Sequence, residues 1–432
     1  MNRKQMIQTI AGAWLSASGI VPALAESEKK FSNDKKNDEY KSSLQIFMDG
    51  HVHISGAVYW NKIDPWNKEA PGVWNYAKAR SSGVNCIIDN LSTYGYWAYN
   101  YTPKMMLRMI ERFHKYAACH ADRMGIALSV IDARRIVSSG RMAVFMGNES
   151  GWDMEGDLDV LGAMYRLGLR TTVFPPQVNY NTFCDSELAA LTGQQPDLYH
   201  GIDDQARKMV EEMNRLGILI DVTHGTEAAK LQLISASGAP VVASHESFIA
   251  VSGAGMSDNV LNAIANKGGL VGIIGWAGAI GKRYRSWMKN NPARAQEAIK
   301  SFATLLNLDI KRDSGDHGEF INAMDESFRR NFSALYDWQE DEIGKTKIPT
   351  ADEWAEHVLH AIKTVGADHV AIGLDMNDGR SGVPHDSSGY GSLRKALERI
   401  TTSTNTKKIL GENWLTVFES VEQFKGRSIH SL

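Results

Sequence analysis

From residue 44 onward one pattern recurs along the chain. A short apolar run rich in branched residues ends in a polar residue, and a longer amphipathic stretch follows. The runs are Gln45–His53, Asn85–Asn90, Met142–Glu149, Thr171–Gln177, Ile218–His224, Pro240–His245, Leu270–Gly275 and His369–Asp375. Runs with apolar residues on both alternating faces suit strands buried on both sides, as in a parallel sheet. Between them, Asp204–Leu216 and Asp352–Val365 space their apolar residues three and four apart and stop at a glycine, as helices do. Eight strand–helix units predict an α/β fold, a (β/α)8 TIM barrel. An open doubly wound sheet uses the same units, and periodicity alone does not show closure. Two regions break the rhythm. Residues 91–141 are longer than one crossover needs, and residues 276–350 hold two charged helical stretches. The second region is expected to cover the C-terminal face of the barrel or to make a subunit contact.

The first 25 residues are a different object. Arg3 and Lys4 precede an apolar run from Ile7 to Val21, and Ala23-Leu24-Ala25 has the small-x-small form of a cleavage site. This reads as a signal peptide over 1–25, too short and too weakly apolar for a membrane span, although an N-terminal anchor helix is the competing reading. The export route stays open, because the second arginine of a twin-arginine signal is missing. Residues 26–43 are polar and charged and read as a flexible leader. The domain proper is then 44–432, exported to the periplasm or beyond.

Composition narrows the partners. Of 432 residues, 43% are apolar and 22% charged, and the net charge is −3, so a large core is available. No dense Lys/Arg block marks a nucleic-acid partner. Three cysteines, Cys86, Cys119 and Cys184, do not make a disulfide scaffold, and sequence does not choose a bridge among them.

Catalytic groups of a (β/α)8 barrel sit where strands end. The first run ends Asp49-Gly50-His51-Val52-His53, and strand alternation puts His51 and His53 on one face. The third run ends in Glu149, the fifth in His224, the sixth in His245 and the eighth in Asp375. Neutral imidazoles and carboxylates gathered in a ring suit zinc, and a carboxylate can bridge two ions. One strand-end histidine would be unremarkable, but six such groups are not. The chain has no GxSxG elbow and no phosphate loop. Cys184, beside Asp185, is a weaker candidate nucleophile.

These segments resemble the membrane (renal) dipeptidase family of zinc barrels, from about residue 46 to 425. Ile46–His53 (IFMDGHVH) is similar to that family's opening motif, and Asn148-Glu149-Ser150-Gly151 to the segment with its bridging Glu. Gly217–His224 (GILIDVTH) and Ala239–Glu246 (APVVASHE) look like its two His segments, and Pro349–Asp375 like the stretch ending in its active-site Asp. The resemblance implies that His51, His53 and Glu149 hold one zinc, and Glu149, His224 and His245 the other. It implies too that Asp375 is the general base and acid, and that the protein is a homodimer. Three departures stand out. His51-x-His53 replaces the family's His-x-Asp, Gln177 stands where a substrate-orienting His is expected, and Ala254 falls where an Arg grips the dipeptide carboxylate.

The expected activity is therefore hydrolysis of a small amide or dipeptide-like bond by water held between two zinc ions. Asp375 moves the proton, and Gln177 donates to the developing oxyanion or simply packs nearby. Loss of the Arg leaves the substrate class open. Either Arg283 or Arg380 is borrowed, or the substrate lacks a carboxylate and is a non-peptide amide or lactone. Tyr94, Tyr96, Trp97, Tyr180, Phe183 and Trp276 are candidates for a flat apolar pocket. The alternative from another class is a non-catalytic metal- or ligand-binding protein on the same barrel.

Overall fold

The structure is a computed structural model that describes residues 45–60, 64–67, 74–93, 102–176, 183–187, 197–293, 347–376 and 382–426. The described residues form nine strands: β1 Met48–Val52, β2 Cys86–Leu91, β3 Met124–Ile126, β4 Met142–Glu149, β5 Leu169–Val173, β6 Leu219–Asp221, β7 Val241–Glu246, β8 Leu270–Ile273 and β9 Val370–Ile372. Eight of them pair in parallel in the order β1-β2-β4-β5-β6-β7-β8-β9, and β3 pairs only with β4. All eight apolar runs are strands of this path, and the expected (β/α)8 barrel is the observed fold. Gln45–Leu432 forms one compact unit.

Closure comes from the backbone where β1 meets the segment after β9. Asp375 N–H donates to His51 O and His53 N–H to Met376 O, each at 3.0 Å. The side chain of Asp49 adds a stitch: its Oδ1 accepts from the N–H of His51 at 3.1 Å and of Leu374 at 3.0 Å. Tyr390 O–H donates to its Oδ2 at 2.5 Å. The seam of the barrel is thus also the place where His51, His53 and Asp375 meet.

Alternation along the strands explains why the runs are apolar throughout. In β4, Ala143 and Phe145 pack with Cys86, Ile88, Leu219, Val242 and Leu270 inside the barrel. Val144 and Met146 instead pack with the helices outside. The helix Asn413–Phe424 closes the bottom. Its Phe418 stacks on Phe145, with centroids 4.4 Å apart, and Trp414 Nε1–H donates to Ile372 O at 2.9 Å. Gly50 is glycine because a Cβ there would stand 1.9 Å from the Trp414 ring. The interior is therefore solid at the N-terminal end, and the polar groups are left to the other.

The two helices singled out in the sequence form with the expected caps. Asp203 caps Asp204–Leu216, which ends at Gly217 in the left-handed conformation (φ 79°). Thr350 and Glu353 make a capping box at the start of Ala351–Val365. Much of 276–350 lies outside the described residues, and from it the helix Lys282–Asn290 is described. Cys86, Cys119 and Cys184 are all free thiols, so no bridge forms among them. Among the described residues no helix is long and apolar enough to cross a membrane.

Inside the helix Ala351–Val365, His357 is fully buried, and Phe248 N–H donates to its Nδ1 at 3.2 Å. Burial, with the nearby charges of Lys282 and His360, pushes its pKa down to about 4. The folded pKa lies below the unfolded one, so the neutral ring's contribution is complete above about 6.5 and is lost as pH falls toward 4. Buried carboxylates titrate in the same window with the opposite sign, so the difference between wild type and His357→Asn is the informative quantity. That difference should shift by ~3 kcal/mol in favour of the variant between pH 7 and pH 4, measured by urea unfolding. A difference that is flat with pH would refute it.

Candidate metal centre

Six imidazole and carboxylate groups converge at the C-terminal end of the barrel, and strand irregularities aim them. The pairing register breaks in β1 between Asp49 and Val52, in β4 between Met146 and Gly147, and in β7 between Ala243 and Glu246. Such bulges turn side chains out of strict alternation and are common beside active sites. The other two strand ends use a different device. His224 and Asp375 have φ of 69° and 59°, left-handed values that are costly for a residue with a Cβ. Both lie just past their strands rather than within them.

The distances form two triples sharing Glu149. In the first, His51 Nε2 lies 3.1 Å from His53 Nε2 and 3.8 Å from Glu149 Oε1, and His53 Nε2 lies 3.2 Å from Glu149 Oε2. In the second, His224 Nε2 lies 2.8 Å from Glu149 Oε1 and 3.2 Å from His245 Nε2, which is 3.6 Å from the same oxygen. Asp375 Oδ1 stands 3.3 Å from His53 Nε2 and 3.8 Å from His51 Nε2.

These groups fit a metal better than they fit one another. Ligand atoms around one tetrahedral ion at about 2.0–2.2 Å stand about 3.3 Å apart, in the middle of the spacings above. His53 places Nδ1 2.9 Å from the carbonyl of Asn90, which can only accept, so its proton belongs there and its Nε2 lone pair faces the site. Glu149 Oε2 and Asp375 Oδ1 are buried with no hydrogen-bond partner, a cost that a cation would remove. Burial keeps His51 and His245 neutral, as ligands must be: it pushes both pKa values down, with neighbouring imidazoles adding to the effect. Burial would raise Glu149, but His53, His224 and His51 hold it well below the usual carboxylate range. Burial would lower His224, yet its hydrogen bond to Glu149 lifts it to about 9.

Supporting residues complete the picture, and sequence reasoning gave them no role. Asn90 holds His53 through its carbonyl, Asp221 Oδ1 accepts from Thr223 and Ser244, and Ser244 touches two of the rings. Behind His224 and His245 a buried ion pair joins Lys230 Nζ to Glu246 Oε1 at 2.5 Å. The prior signals were positional: Asn90 closes an apolar run, and Ser244 and Glu246 flank His245.

The chain belongs to the membrane dipeptidase family. The match to this family, peptidase family M19, runs over residues 43–431. Dipeptidase tcpJ of Claviceps purpurea (strain 20.1) is 26% identical over 321 residues, which is 73% of this chain and 59% of that protein. Dipeptidase verJ of Clonostachys rogersoniana is 23% identical over 324 residues, 73% of this chain and 65% of that protein. The chain thus spans less than two thirds of the length of these curated relatives. The probable dipeptidase PvdM from Pseudomonas aeruginosa shares the fold, with a TM-score of 0.69, 21% identity and coverage of 90% of this chain and 98% of that one. Metal-dependent hydrolysis is the family's chemistry, and the His/Glu groups of this chain could hold metal.

Other expected groups fall elsewhere. Gln177, Tyr94, Tyr96, Trp97, Tyr180 and Arg380 lie outside the described residues. Phe183 is core, packed against Phe174. Trp276 is half-buried at the end of β8. Arg283 is taken: it donates to Ile348 O at 2.8 Å and Glu353 Oε2 at 2.9 Å. Ala254 sits in a loop after β7, and beside it Arg285 donates to Gly253 O at 3.2 Å. Cys184 is fully buried, and burial with Asp185 and Asp203 nearby raises its thiol pKa well above normal, which removes it as a nucleophile.

Proposed function

We propose that this chain is an exported, binuclear zinc hydrolase of small amide or dipeptide-like bonds. The observation that carries the reading is the convergence of four imidazole Nε2 atoms on one shared carboxylate, Glu149, whose Oε2 is buried without a hydrogen bond. His51, His53 and Glu149 would hold one ion, and Glu149, His224 and His245 the other. Mixed His/carboxylate sets of this kind favour zinc. Bound there, such ions supply a water ionised near neutral pH and polarise the scissile carbonyl.

The chain's own residues do the rest. Asp375 Oδ1, buried and without a partner, accepts the proton of the attacking water and returns it to the leaving amine. The solid barrel floor leaves the C-terminal face as the way in. Gln177 stands in this reading as a donor to the developing oxyanion. Export rests on the Arg3–Ala25 pattern.

Ala254 brings no charge to the substrate's carboxylate, and Arg283 is committed to Glu353. A free-acid dipeptide therefore leaves its carboxylate without a charge-assisted partner, a loss of about 1.5–3 kcal/mol or roughly ten- to a hundredfold. The dipeptide C-terminal amide should give kcat/KM about tenfold higher than the free acid, and Ala254→Arg should narrow that gap. Preference for the free acid by tenfold or more would show that another base supplies the clamp, and Arg285→Ala would then identify it.

A further inference from the structure

Ser244 Oγ lies 2.9 Å from His51 Nδ1 and 2.8 Å from His245 Nδ1 in a fully buried setting. One hydroxyl thus touches one ring from each triple. We propose that Ser244 is a positioning residue that accepts from both rings and sets the tautomer of His245, and with it the affinity of the Glu149–His224–His245 site. The inference rests on the binuclear reading above.

A neutral imidazole has one N–H, so a ring that offers its Nε2 lone pair must carry its proton on Nδ1. That proton needs an acceptor, because an unpaired buried donor is costly. A serine hydroxyl has two lone pairs and accepts from both rings at once. Its place is held firmly. Ser244 N–H donates to Asp221 Oδ1 at 3.0 Å, and the same oxygen takes Thr223 N–H at 3.0 Å and Thr223 O–H at 2.7 Å. Gly272 and Gly373 crowd the Ser244 carbonyl so closely that a Cβ on either would stand 1.9 and 1.7 Å from it. The register break between Ala243 and Glu246 is what lets two successive residues, Ser244 and His245, both serve the site. It also explains a third close set of ligand-type atoms, from His51, Asp221 and His245. The Nδ1 atoms of both rings and Oδ1 of Asp221 are already engaged, so this set supports the other two.

The two rings do not depend on Ser244 equally. The Asn90 amide nitrogen lies 3.0 Å from His51 Nδ1, and the same amide turned over presents its oxygen there as a second acceptor. For His245 Nδ1 the acceptor among the described residues is Ser244. Losing the hydroxyl should therefore strike the Glu149–His224–His245 site and largely spare the other. Loss of an outer partner of this kind lowers metal affinity about 10- to 100-fold.

The test is a zinc titration against a competing chelator, with metal-free wild type, Ser244→Ala and Ser244→Thr. Wild type should show two tight sites, Ser244→Ala one tight site and one weakened 10- to 100-fold, and Ser244→Thr two tight sites again. Nitrogen-15 spectra of the histidines give a second readout independent of activity. His51 and His245 should carry Nδ1–H in wild type, and His245 alone should shift its proton in Ser244→Ala. Unchanged affinities at both sites in Ser244→Ala overturn the proposal, and so does equal weakening of both. If Ser244→Ala does not fold, an Nε2–H on His245 in wild type overturns it alone. A wild type that binds fewer than two ions sinks the binuclear reading instead, which the tautomer spectra leave separately decidable.

Discussion

Replacing Glu149 with alanine should empty both metal sites and lower kcat/KM by about 10⁴-fold or more. Glu149 is the one residue common to the two triples, with Oε1 toward His224 and His245 and Oε2 toward His53. Removing it leaves two histidines per site, too few for a tetrahedral ion that must also keep a position open. Metal-assisted activation of water and carbonyl is worth several kcal/mol, and each 1.36 kcal/mol is tenfold in rate. Bound metal, near two per chain in wild type after mild preparation, should fall with the activity. A spectroscopic control guards against a folding artefact. In the metal-free site the Glu149 hydrogen bond lifts His224 to about 9, so in Glu149→Ala the His224 titration should move down relative to metal-free wild type while the fold persists. A fully active enzyme without bound metal would end the reading.

The sequence was most informative where composition and position coincide. All eight barrel strands showed as apolar runs, because each strand is buried inside and out. Their ends were less exact. His224 and Asp375 closed their runs in sequence, yet both lie beyond β6 and β9, turned by left-handed backbone that no residue pattern announces. β3 escaped because it pairs with β4 alone and Gly125 and Ile126 are only half-buried, so no apolar run marks it. Closure also escaped, because the bonds from Asp375 to His51 and from His53 to Met376 join segments over 300 residues apart.

The site divided the same way. Ligand-type residues at strand ends were legible because His and Glu in such places have few other uses. Ser244, Asn90 and Asp221 were not, because residues that aim a ligand need only a hydroxyl, an amide or a carboxylate at the right spot. Those types occur everywhere in a soluble protein. Asp49 stood inside a quoted motif, but its part in sealing the barrel through Leu374 and Tyr390 depends on neighbours brought by the fold.

Asp375→Asn should lower kcat by about 10²–10⁴-fold while bound metal and KM stay near wild type. The range is that of a lost general acid–base group. Asparagine is the right replacement on two counts. It keeps the volume, and it tolerates the left-handed backbone that Asp375 occupies at φ 59°, where alanine would add strain. What it loses is the ability to hold a proton at Oδ1, the buried atom that lacks a hydrogen-bond partner. The geometry also frames the competing role. Oδ1 stands 3.3 Å from His53 Nε2, close enough for Asp375 to be a ligand in its own right. The two roles separate cleanly by measuring metal content beside kcat. A proton carrier leaves the metal bound and the rate low, whereas a ligand takes both down together. If zinc per chain falls in step with kcat, Asp375 belongs to the first metal site and the proton must travel by another group.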